Sequence, residues 1–246
     1  MTFSIIARCP RTGRLGLGIA TFSIASGGRC EGILAGVGIC KTQAFINRGN
    51  DLLALELLQQ GHSPTHVMQM LEANDPEHAY RQIAILDREG NAAAHTGSGT
   101  RPWSGHKIGE GFVAFGNVLA GPQVVEAIAS GFLEKPEDPL EYRLLGALEG
   151  ARNSGGQVGG SGHLTERSAA IRVDADPDYP DIDVRVDLHD DAIVQLRRIL
   201  DEFKLYEDFY RSRGRDPSTA ITQGEFVAQL QAKRSTLSSR AQARDL

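Results

Sequence analysis

The sequence predicts a mixed protein of the α+β class with one main domain, in which two β-sheets pack together and pairs of helices lie outside them. Three observations lead to this prediction. Segments with strand character occur in runs, helical segments occur in pairs between those runs, and 41% of the 246 residues are hydrophobic, as in ordinary globular domains. A doubly wound parallel sheet requires strict alternation of strands and helices, so the runs of strands favour packed sheets.

The strand assignments rest on short segments with period-two alternation or with β-branched and aromatic residues, bounded by turn residues. Residues 2–9 and 15–22 flank a turn that begins at Pro10 and ends at Gly13, and we expect them to form a hairpin. The other segments of this kind are residues 32–45, 81–86, 92–95, 111–119, 168–173 and 182–188.

The helical assignments rest on apolar residues spaced three and four apart and on capping residues at the segment ends. Gly61 is placed to end one helix, and Ser63 and Pro64 supply the N-cap and the first position of the next. The predicted helices are residues 51–60, 64–72, 122–133, 139–152 and 191–203.

The chain becomes more polar after residue 205. We therefore place the main domain at residues 1–205 and predict a C-terminal extension over residues 206–246. The extension contains one helical stretch near residues 225–233, and its end from residue 235 has the composition of a flexible tail.

Composition and charge exclude several classes of function. The formal net charge of −5 and the lack of a basic stripe argue against nucleic-acid binding. No apolar run approaches the ~20 residues that span a bilayer, and the amino terminus lacks the features of a signal peptide. Three cysteines without a CxxC pair indicate reduced thiols, so we expect a cytoplasmic protein. His62 and His66 have the spacing of a zinc motif but lack its glutamate, so we expect no metal site.

Thr2 is the residue with the most specific chemical potential. Removal of the initiator methionine is favoured by a small second residue, and it would leave a threonine with a free α-amine. The hydroxyl is then a nucleophile and the amine, with an ordinary pKa of about 7.7–8.0, is its general base. Because many proteins that are not enzymes carry Thr or Ser after Met, this dipeptide alone does not establish catalysis.

A wider set of motifs resembles the domain of unknown function 1028 family, and the likeness extends from Thr2 to about residue 205. The motifs, in chain order, are MTFSIIARCPRTGRLGLGIA, AGVGICKTQAFINRGNDLLALELLQQG, QIAILDREGNAAAHTG, GNVLAGPQVVEAIA, RSAAIRVD and DVRVDLHDDAIVQLRRIL. That family is grouped with the N-terminal nucleophile (Ntn) hydrolases, whose fold is a four-layer αββα sandwich. The resemblance therefore implies that fold and a cofactor-free hydrolysis of an amide bond in a small molecule, with Thr2 as nucleophile.

The resemblance also implies where the developing oxyanion is bound. In Ntn proteins a donor lies where an inner strand runs into the first helix, which here is the segment Thr42-Gln43-Ala44. The second strand-to-helix junction, at Asn117, is also expected to face the site. Gln43 and Asn117 are thus candidate catalytic donors and Thr42 a candidate substrate contact. A structural hydrogen bond at a strand end is an equally good explanation of Gln43 and Asn117.

Three further positions of the expected site concern positive charge, namely Lys41, Phe22 and Arg167. Lys41 matches the lysine that proteasome-like members use to lower the pKa of the nucleophile, although strand alternation could direct it to solvent. Relatives often carry Lys or His where this chain has Phe22, so that charge is lost or moved. Arg167 follows the glycine-rich segment at residues 155–162, a lid or a plain connection. It could bind a substrate carboxylate, although a surface ion pair is the more common role of arginine.

Two other classes of function stay open. The first is a non-catalytic binding or scaffold protein that kept the fold and lost the chemistry, because fold does not imply function. The second is a subunit whose polar tail, residues 206–246, docks onto a second copy of the chain, as in a homodimer, or onto another partner.

Overall fold

The computed structural model describes residues 1–175 and 180–242. The chain divides into two compact units, Met1–Arg198 and Ile199–Leu246. The predicted domain boundary after residue 205 falls inside a helix that runs from Ala192 to Arg215. The described part of the chain contains six α-helices and two main β-sheets.

The first sheet has six strands, and every neighbouring pair in it is antiparallel. The first two strands form the predicted hairpin and lie in the middle of the sheet. In spatial order the strands are β12 (Ile182–Val186), β11 (Ser168–Asp174), β2 (Leu15–Thr21), β1 (Thr2–Arg8), β8 (Phe112–Asn117) and β7 (Ser104–Gly109).

The second sheet has four strands, also antiparallel. In spatial order they are β3 (Ile33–Leu34), β4 (Gly38–Ala44), β5 (Arg81–Asp87) and β6 (Ala92–Thr96). A separate two-stranded ribbon consists of β9 (Gln157–Gly159) and β10 (Gly162–Leu164).

Four helices pack in pairs against the sheets. Helices α1 (Arg48–Gln59) and α2 (Pro64–Asn74) contact the second sheet, mainly β4, β5 and β6. Helices α3 (Pro122–Leu133) and α4 (Leu140–Asn153) pack against each other and contact β1, β2, β7 and β8 of the first sheet. The prediction of a mixed α/β fold is thereby confirmed, and its sheets are antiparallel.

Strand alternation divides the buried residues into distinct layers. Between the two sheets lies an apolar cluster to which both contribute, with Ile6, Leu17, Phe115, Ile39 and Leu86 among its members. The opposite face of the second sheet joins α1 and α2 in another cluster, whose residues are Cys40, Ala54, Leu57, Leu58, Val67, Leu71, Ile83 and Ile85. Thus Ile39 and Cys40, adjacent in sequence, face different layers.

The second unit includes most of α5 (Ala192–Arg215) and all of α6 (Gln223–Gln242). Aromatic side chains join the two helices, because the rings of Phe209 and Phe226 stack with their centroids 4.2 Å apart and Tyr206 contacts both rings. Both helices are longer than predicted. The end predicted as flexible is helical through Gln242, and residues 243–246 lie outside the described residues.

Two further predictions were incomplete. Strand β7 was missed because its sequence SGHKIG alternates weakly and belongs to a strand at the sheet edge. The glycine-rich segment at residues 155–162, expected to be a lid or a plain connection, contains part of the β9–β10 ribbon. Across residues 1–175 and 180–242, we find no helix with both the length and the apolar character needed to cross a bilayer.

Candidate functional site

Thr2 lies in a row of polar residues that crosses the first sheet at one end. It is the first residue of β1 and stands opposite Thr21 on β2 and Asn117 on β8. Ser168 stands opposite Thr21, and Ser104 stands opposite Asn117. Side chains in register on neighbouring antiparallel strands share a face. These five residues therefore form a polar row at this end of the first sheet.

Buried amide side chains connect this end of the first sheet to the second sheet. Ser4 Oγ donates to Gln43 Oε1 at 2.7 Å, and Gln43 Nε2 donates to Gln82 Oε1 at 2.8 Å. Asn117 Nδ2 also donates to Gln82 Oε1, at 3.1 Å, while Gln82 Nε2 donates to the Gly116 carbonyl at 2.8 Å. Hydrogen bonding offsets the cost of burying these groups. One N–H of the Gln43 side chain and one N–H of the Asn117 side chain are consequently engaged inside this network.

The Thr2 hydroxyl is held by two oxygen atoms. It donates to the Met1 carbonyl oxygen at 2.6 Å and lies 3.2 Å from Thr21 Oγ. Thr21 Oγ also hydrogen-bonds to the Met1 carbonyl oxygen and accepts the Ser23 N–H at 3.1 Å. Both threonine hydroxyls thus meet at the carbonyl of Met1.

Two cavities are lined in part by Met1. The first has a volume of about 140 Å³ and is lined by Thr2, Thr21, Lys41, Gln43 and Ala44, among others. The second has a volume of about 160 Å³, and its other lining residues are Ala44, Phe45, Arg101, Asn117 and Val118. Each cavity has room for a small chemical group, since one water molecule occupies roughly 30 Å³ of liquid.

The chain's α-amine lies in surroundings that disfavour its positive charge. Burial, together with the nearby Arg101 guanidinium, lowers the pKa of the Met1 amine to about 6. An ordinary α-amine has a pKa of about 7.7–8.0. The amine at this position is therefore mostly uncharged at neutral pH.

Lys41 is buried beside the Thr2 cavity. Only 1% of its side chain is exposed, and it faces the interior between the sheets in phase with Ile39 and Gln43. Its Nζ donates to the Arg29 carbonyl at 2.8 Å and lies 3.6 Å from Asp51 Oδ2. Burial raises the pKa of Asp51 to about 6, against the opposing effect of Lys41. The alternative that Lys41 points to solvent is therefore wrong.

The edge of β4 that faces away from β5 carries a series of N–H groups. The Cys40 N–H donates to the Gly32 carbonyl at 2.8 Å, and the Thr42 N–H donates to Asp51 Oδ1 at 2.7 Å. Alternate residues of an antiparallel strand direct their N–H groups to the same edge. The Ala44 N–H continues this series, and Ala44 lines both cavities.

Left-handed backbone conformations surround the same region. Ala25, Ala44 and Val118 are the non-glycine residues with positive φ in the described part of the chain, at 55°, 69° and 57°. Ala44 ends β4, and Val118 follows β8 directly. Such conformations cost about 1–3 kcal/mol each and concentrate at functional sites. Both strand-to-helix junctions predicted to face the site therefore carry this strain.

Two of the predicted substrate contacts lie outside these cavities. Thr42 is buried on the side of β4 that faces α1, where its N–H meets Asp51. The Arg167 guanidinium lies 5.1 Å from the centre of the Phe22 ring. The two cavities at Met1 are lined by neither Thr42 nor Arg167. Arg167 thus places a positive charge beside Phe22, the position at which the family resemblance expects a cation, but it lines neither cavity.

Sequence reasoning missed several residues of this region. Ser4, Thr21 and Gln82 are polar residues at inward-facing positions of apolar strands, and that pattern is the signal that could have identified them. Arg101 lies in a connection before β7, and nothing in its local sequence indicates that it reaches the amino terminus. Among residues 1–175 and 180–242, no three His, Cys, Asp or Glu side chains are grouped so as to hold a metal ion.

Comparisons with known proteins identify a family without a known function. The model described as "Family of unknown function (DUF1028)" matches residues 2–196. The crystal structure of a protein from Silicibacter pomeroyi, described with the same family, superposes with a TM-score of 0.71 at 32% sequence identity. The match covers 82% of this chain and 88% of that one. No curated protein matches the chain.

Proposed function

Because the chain belongs to the DUF1028 family, whose function is unknown, we propose its activity from the geometry at its amino terminus. In this proposal the protein is an Ntn-type amidohydrolase that cleaves an amide bond of a small molecule without a cofactor. Thr2 is the nucleophile once Met1 has been removed. The observation that carries the proposal is that a single residue, Met1, precedes the strand-held Thr2 and lines two cavities, one of which Thr2 also lines. Removal of Met1 would therefore give Thr2 a free α-amine at this place.

Removal of Met1 would change the chemistry of Thr2 in two ways. The Met1 carbonyl, which accepts hydrogen bonds from Thr2 and Thr21, would be gone, so the Thr2 hydroxyl would be free for a substrate. The Thr2 nitrogen would become the α-amine of the chain, one residue along from the Met1 amine, whose pKa is lowered to about 6 by burial and by Arg101. We expect the Thr2 amine to experience the same effects. An uncharged amine at neutral pH is what a general base requires.

We assign the oxyanion donor to the backbone of Ala44. Its N–H lies on the edge of β4 that faces away from β5, where the Cys40 and Thr42 N–H groups already donate, and Ala44 borders both cavities. The side chains of Gln43 and Asn117 serve instead to fix the strand ends, since both donate within the network around Gln82. A single well-placed donor of this kind contributes about 3–4 kcal/mol to the transition state.

The proposed reaction needs no co-reactant other than water. Thr2 Oγ attacks the amide carbonyl carbon while the α-amine accepts the hydroxyl proton. The tetrahedral oxyanion is stabilised by the Ala44 N–H, and its collapse breaks the carbon–nitrogen bond as the proton passes to the leaving amine. Water, deprotonated by the same α-amine, then attacks the acyl ester on Thr2, and a carboxylic acid leaves as Thr2 regains its hydrogen.

Lys41 is proposed as a positioning residue for this reaction. It lines the same cavity as Thr2, and its ammonium group is held by the Arg29 carbonyl and Asp51. A positive charge in this cavity favours the alkoxide character that develops on Thr2 Oγ. The limited volumes of the two cavities, about 140 and 160 Å³, favour a small amide over a peptide.

The arrangement of layers is consistent with this proposal. Helices α1 and α2 contact the second sheet, the two sheets contact each other, and α3 and α4 contact the first sheet. We infer from these contacts that the fold is the four-layer αββα sandwich of the Ntn hydrolases.

A binding protein without catalysis is the second candidate. The observation that favours it is that Gln43 and Asn117 each use a side-chain N–H to bind Gln82, as residues with a structural role would. In that case Thr2 and Thr21 would only fix the amino terminus. Because the two hypotheses make opposite predictions for Thr2, the same experiment separates them.

The test combines the state of the amino terminus with activity. The purified, untagged protein is expected to lack Met1 by intact mass, and to hydrolyse at least one member of a panel of small primary, secondary and cyclic amides. Thr2→Ala should lose at least 100-fold in kcat/KM, because the nucleophile is removed, whereas Thr2→Ser keeps measurable activity. Thr12→Ala, in the distant β1–β2 turn, is the control and should match the parent. Equal activity of Thr2→Ala and the parent would exclude the mechanism.

A further inference from the structure

We propose a second ligand site, for a small monocarboxylate with an apolar body, at the end of the first sheet opposite to Thr2. A cavity of about 460 Å³ lies there, lined by Arg8, Glu110, Phe132, Leu133 and Arg143, among others. Arg8 is the last residue of β1 and Thr2 is the first. Six residue-to-residue steps along the extended strand place the two sites about 20 Å apart. The proposal does not depend on the activity assigned to Thr2.

Arg143 is the central observation. It is 7% exposed, and its guanidinium lies 4.0 Å from the centre of the Phe132 ring. Its Nε donates to the Phe132 carbonyl at 3.2 Å, near the end of α3. In the described part of the chain its other two guanidinium nitrogens have no hydrogen-bonding partner and are not fully buried, and no carboxylate pairs with it. Burial lowers the pKa of Arg143.

A buried charge without a counterion is costly, so it is normally paired. Part of this cost is offset by the ring of Phe132 and by the negative end of the α3 dipole. Arg143 lines the cavity. The planar guanidinium has the geometry to bind a carboxylate through two parallel hydrogen bonds.

The charges around the cavity favour an anion with a single negative charge. Arg8 is a second cation in its lining, and its Nε donates to the Arg88 carbonyl. Two acids also line the cavity, and one of them, Glu89, is paired with Arg88. The other, Glu110, is exposed at the surface. The two arginines and the one unpaired acid together give the cavity a net charge of about +1, which suits a carboxylate better than a phosphate dianion.

Apolar groups in the lining suit the body of such a ligand. Leu133 is 51% exposed, and Pro10 is also exposed. Both line this cavity beside Phe132. A ligand with its carboxylate on Arg143 would cover these side chains. A buried cation beside an apolar surface is typical of small-molecule sites. This combination distinguishes the cavity from a purely polar cleft filled with water.

The probes are acetate, hexanoate and phenylacetate, measured by isothermal titration calorimetry and by ligand-observed NMR. We expect at least one of the two larger carboxylates to bind with a dissociation constant of roughly 1 mM, as for a ligand of about ten non-hydrogen atoms. Phenylacetamide, which has nearly the same shape and no charge, should bind at least tenfold more weakly. Binding of the carboxylate should weaken as salt is added.

Substitutions locate the site. Arg143→Met and Arg8→Met should each weaken binding about tenfold, whereas Thr2→Ala and Arg48→Met, the latter at an exposed arginine paired with Glu31, should leave it unchanged. Arg8 is half-buried, so its variant keeps the test intact if Arg143→Met fails to fold. The proposal is overturned if no probe carboxylate binds at about 20 mM, roughly twenty times the expected constant. It is equally overturned if phenylacetamide binds as well as phenylacetate, or if Arg8→Met binds as the parent does.

Discussion

At the scale of single residues, burial and the guanidinium of Arg101 determine the pKa of the amine at the start of the chain. Both lower the pKa of the Met1 amine. We expect them to act in the same direction on the amine of Thr2, the proposed base, after removal of Met1. Because the uncharged amine is the active form, kcat/KM should rise with pH through the pKa of that amine and level off above it.

The acidic limb of the pH profile is therefore a direct prediction. Its midpoint should lie below the ordinary value of about 7.7–8.0. Arg101→Gln removes a nearby positive charge, so the midpoint should move upward by roughly half a pH unit. Arg101→Lys keeps the charge and should leave the midpoint in place. A downward shift in Arg101→Gln would contradict the assignment of the base.

Lys41 calls for a test that separates catalysis from stability, because it is both beside Thr2 and paired with Asp51. Lys41→Met leaves Asp51 buried without its partner, so the free energy of unfolding should fall by about 3 kcal/mol. The double variant Lys41→Met/Asp51→Asn removes both charges and should recover most of that loss. If Lys41 positions charge for Thr2, the double variant stays inactive although it is stable. Recovered activity would assign Lys41 a structural role alone.

Thr2 could be predicted as a candidate from the sequence, since its chemistry depends on its place in the chain. The environment of Gln43 and Asn117 could not. Each directs a side-chain N–H to Gln82, which lies 35 or more positions away in sequence from each of them. Arg101 was missed for the same reason: its contact with residue 1 is created by the tertiary fold alone.

At the scale of secondary-structure elements, the close approach of α3 and α4 depends on glycine. A Cβ added at Gly131 would lie 2.4 Å from the Gly146 carbonyl oxygen. Gly131→Ala should therefore force the helices apart and lower the free energy of unfolding by about 1–3 kcal/mol, measured by chemical denaturation. Gly160→Ala is the control, because a Cβ there meets nothing within 4 Å and the effect should stay within about 0.5 kcal/mol. Equal effects would show that the helix contact tolerates a methyl group.

The elements themselves were predictable to different degrees. Helix α3 was predicted at its observed bounds, Pro122–Leu133, because a proline at its first position and regular apolar spacing define it. Strand β7 was missed because an edge strand needs few apolar residues. Helix α5 continues to Arg215 beyond its predicted end at residue 203. Contacts such as the ion pair of Glu207 with Arg211 and the packing of Phe209 on Phe226 support that extension.

At the scale of the whole molecule, the runs of strands and the pairs of helices predicted the kind of fold, while strand order required the structure. The sequence pattern could not show that β11 pairs with β2, or that β1 lies between β2 and β8. That order places Thr2 between Thr21 and Asn117. The pairing of distant strands thus assembles the candidate site around a residue that the sequence alone could single out.

The most direct test of the central claim is peptide mapping by mass spectrometry after the untagged protein has reacted with a β-lactone, an electrophile that acylates hydroxyl nucleophiles. The account predicts a chain that begins at Thr2 and carries one acyl group, on the Thr2 side chain, with no adduct on Thr2→Ala. An active protein that retains Met1, or an adduct located on any other residue, would contradict it.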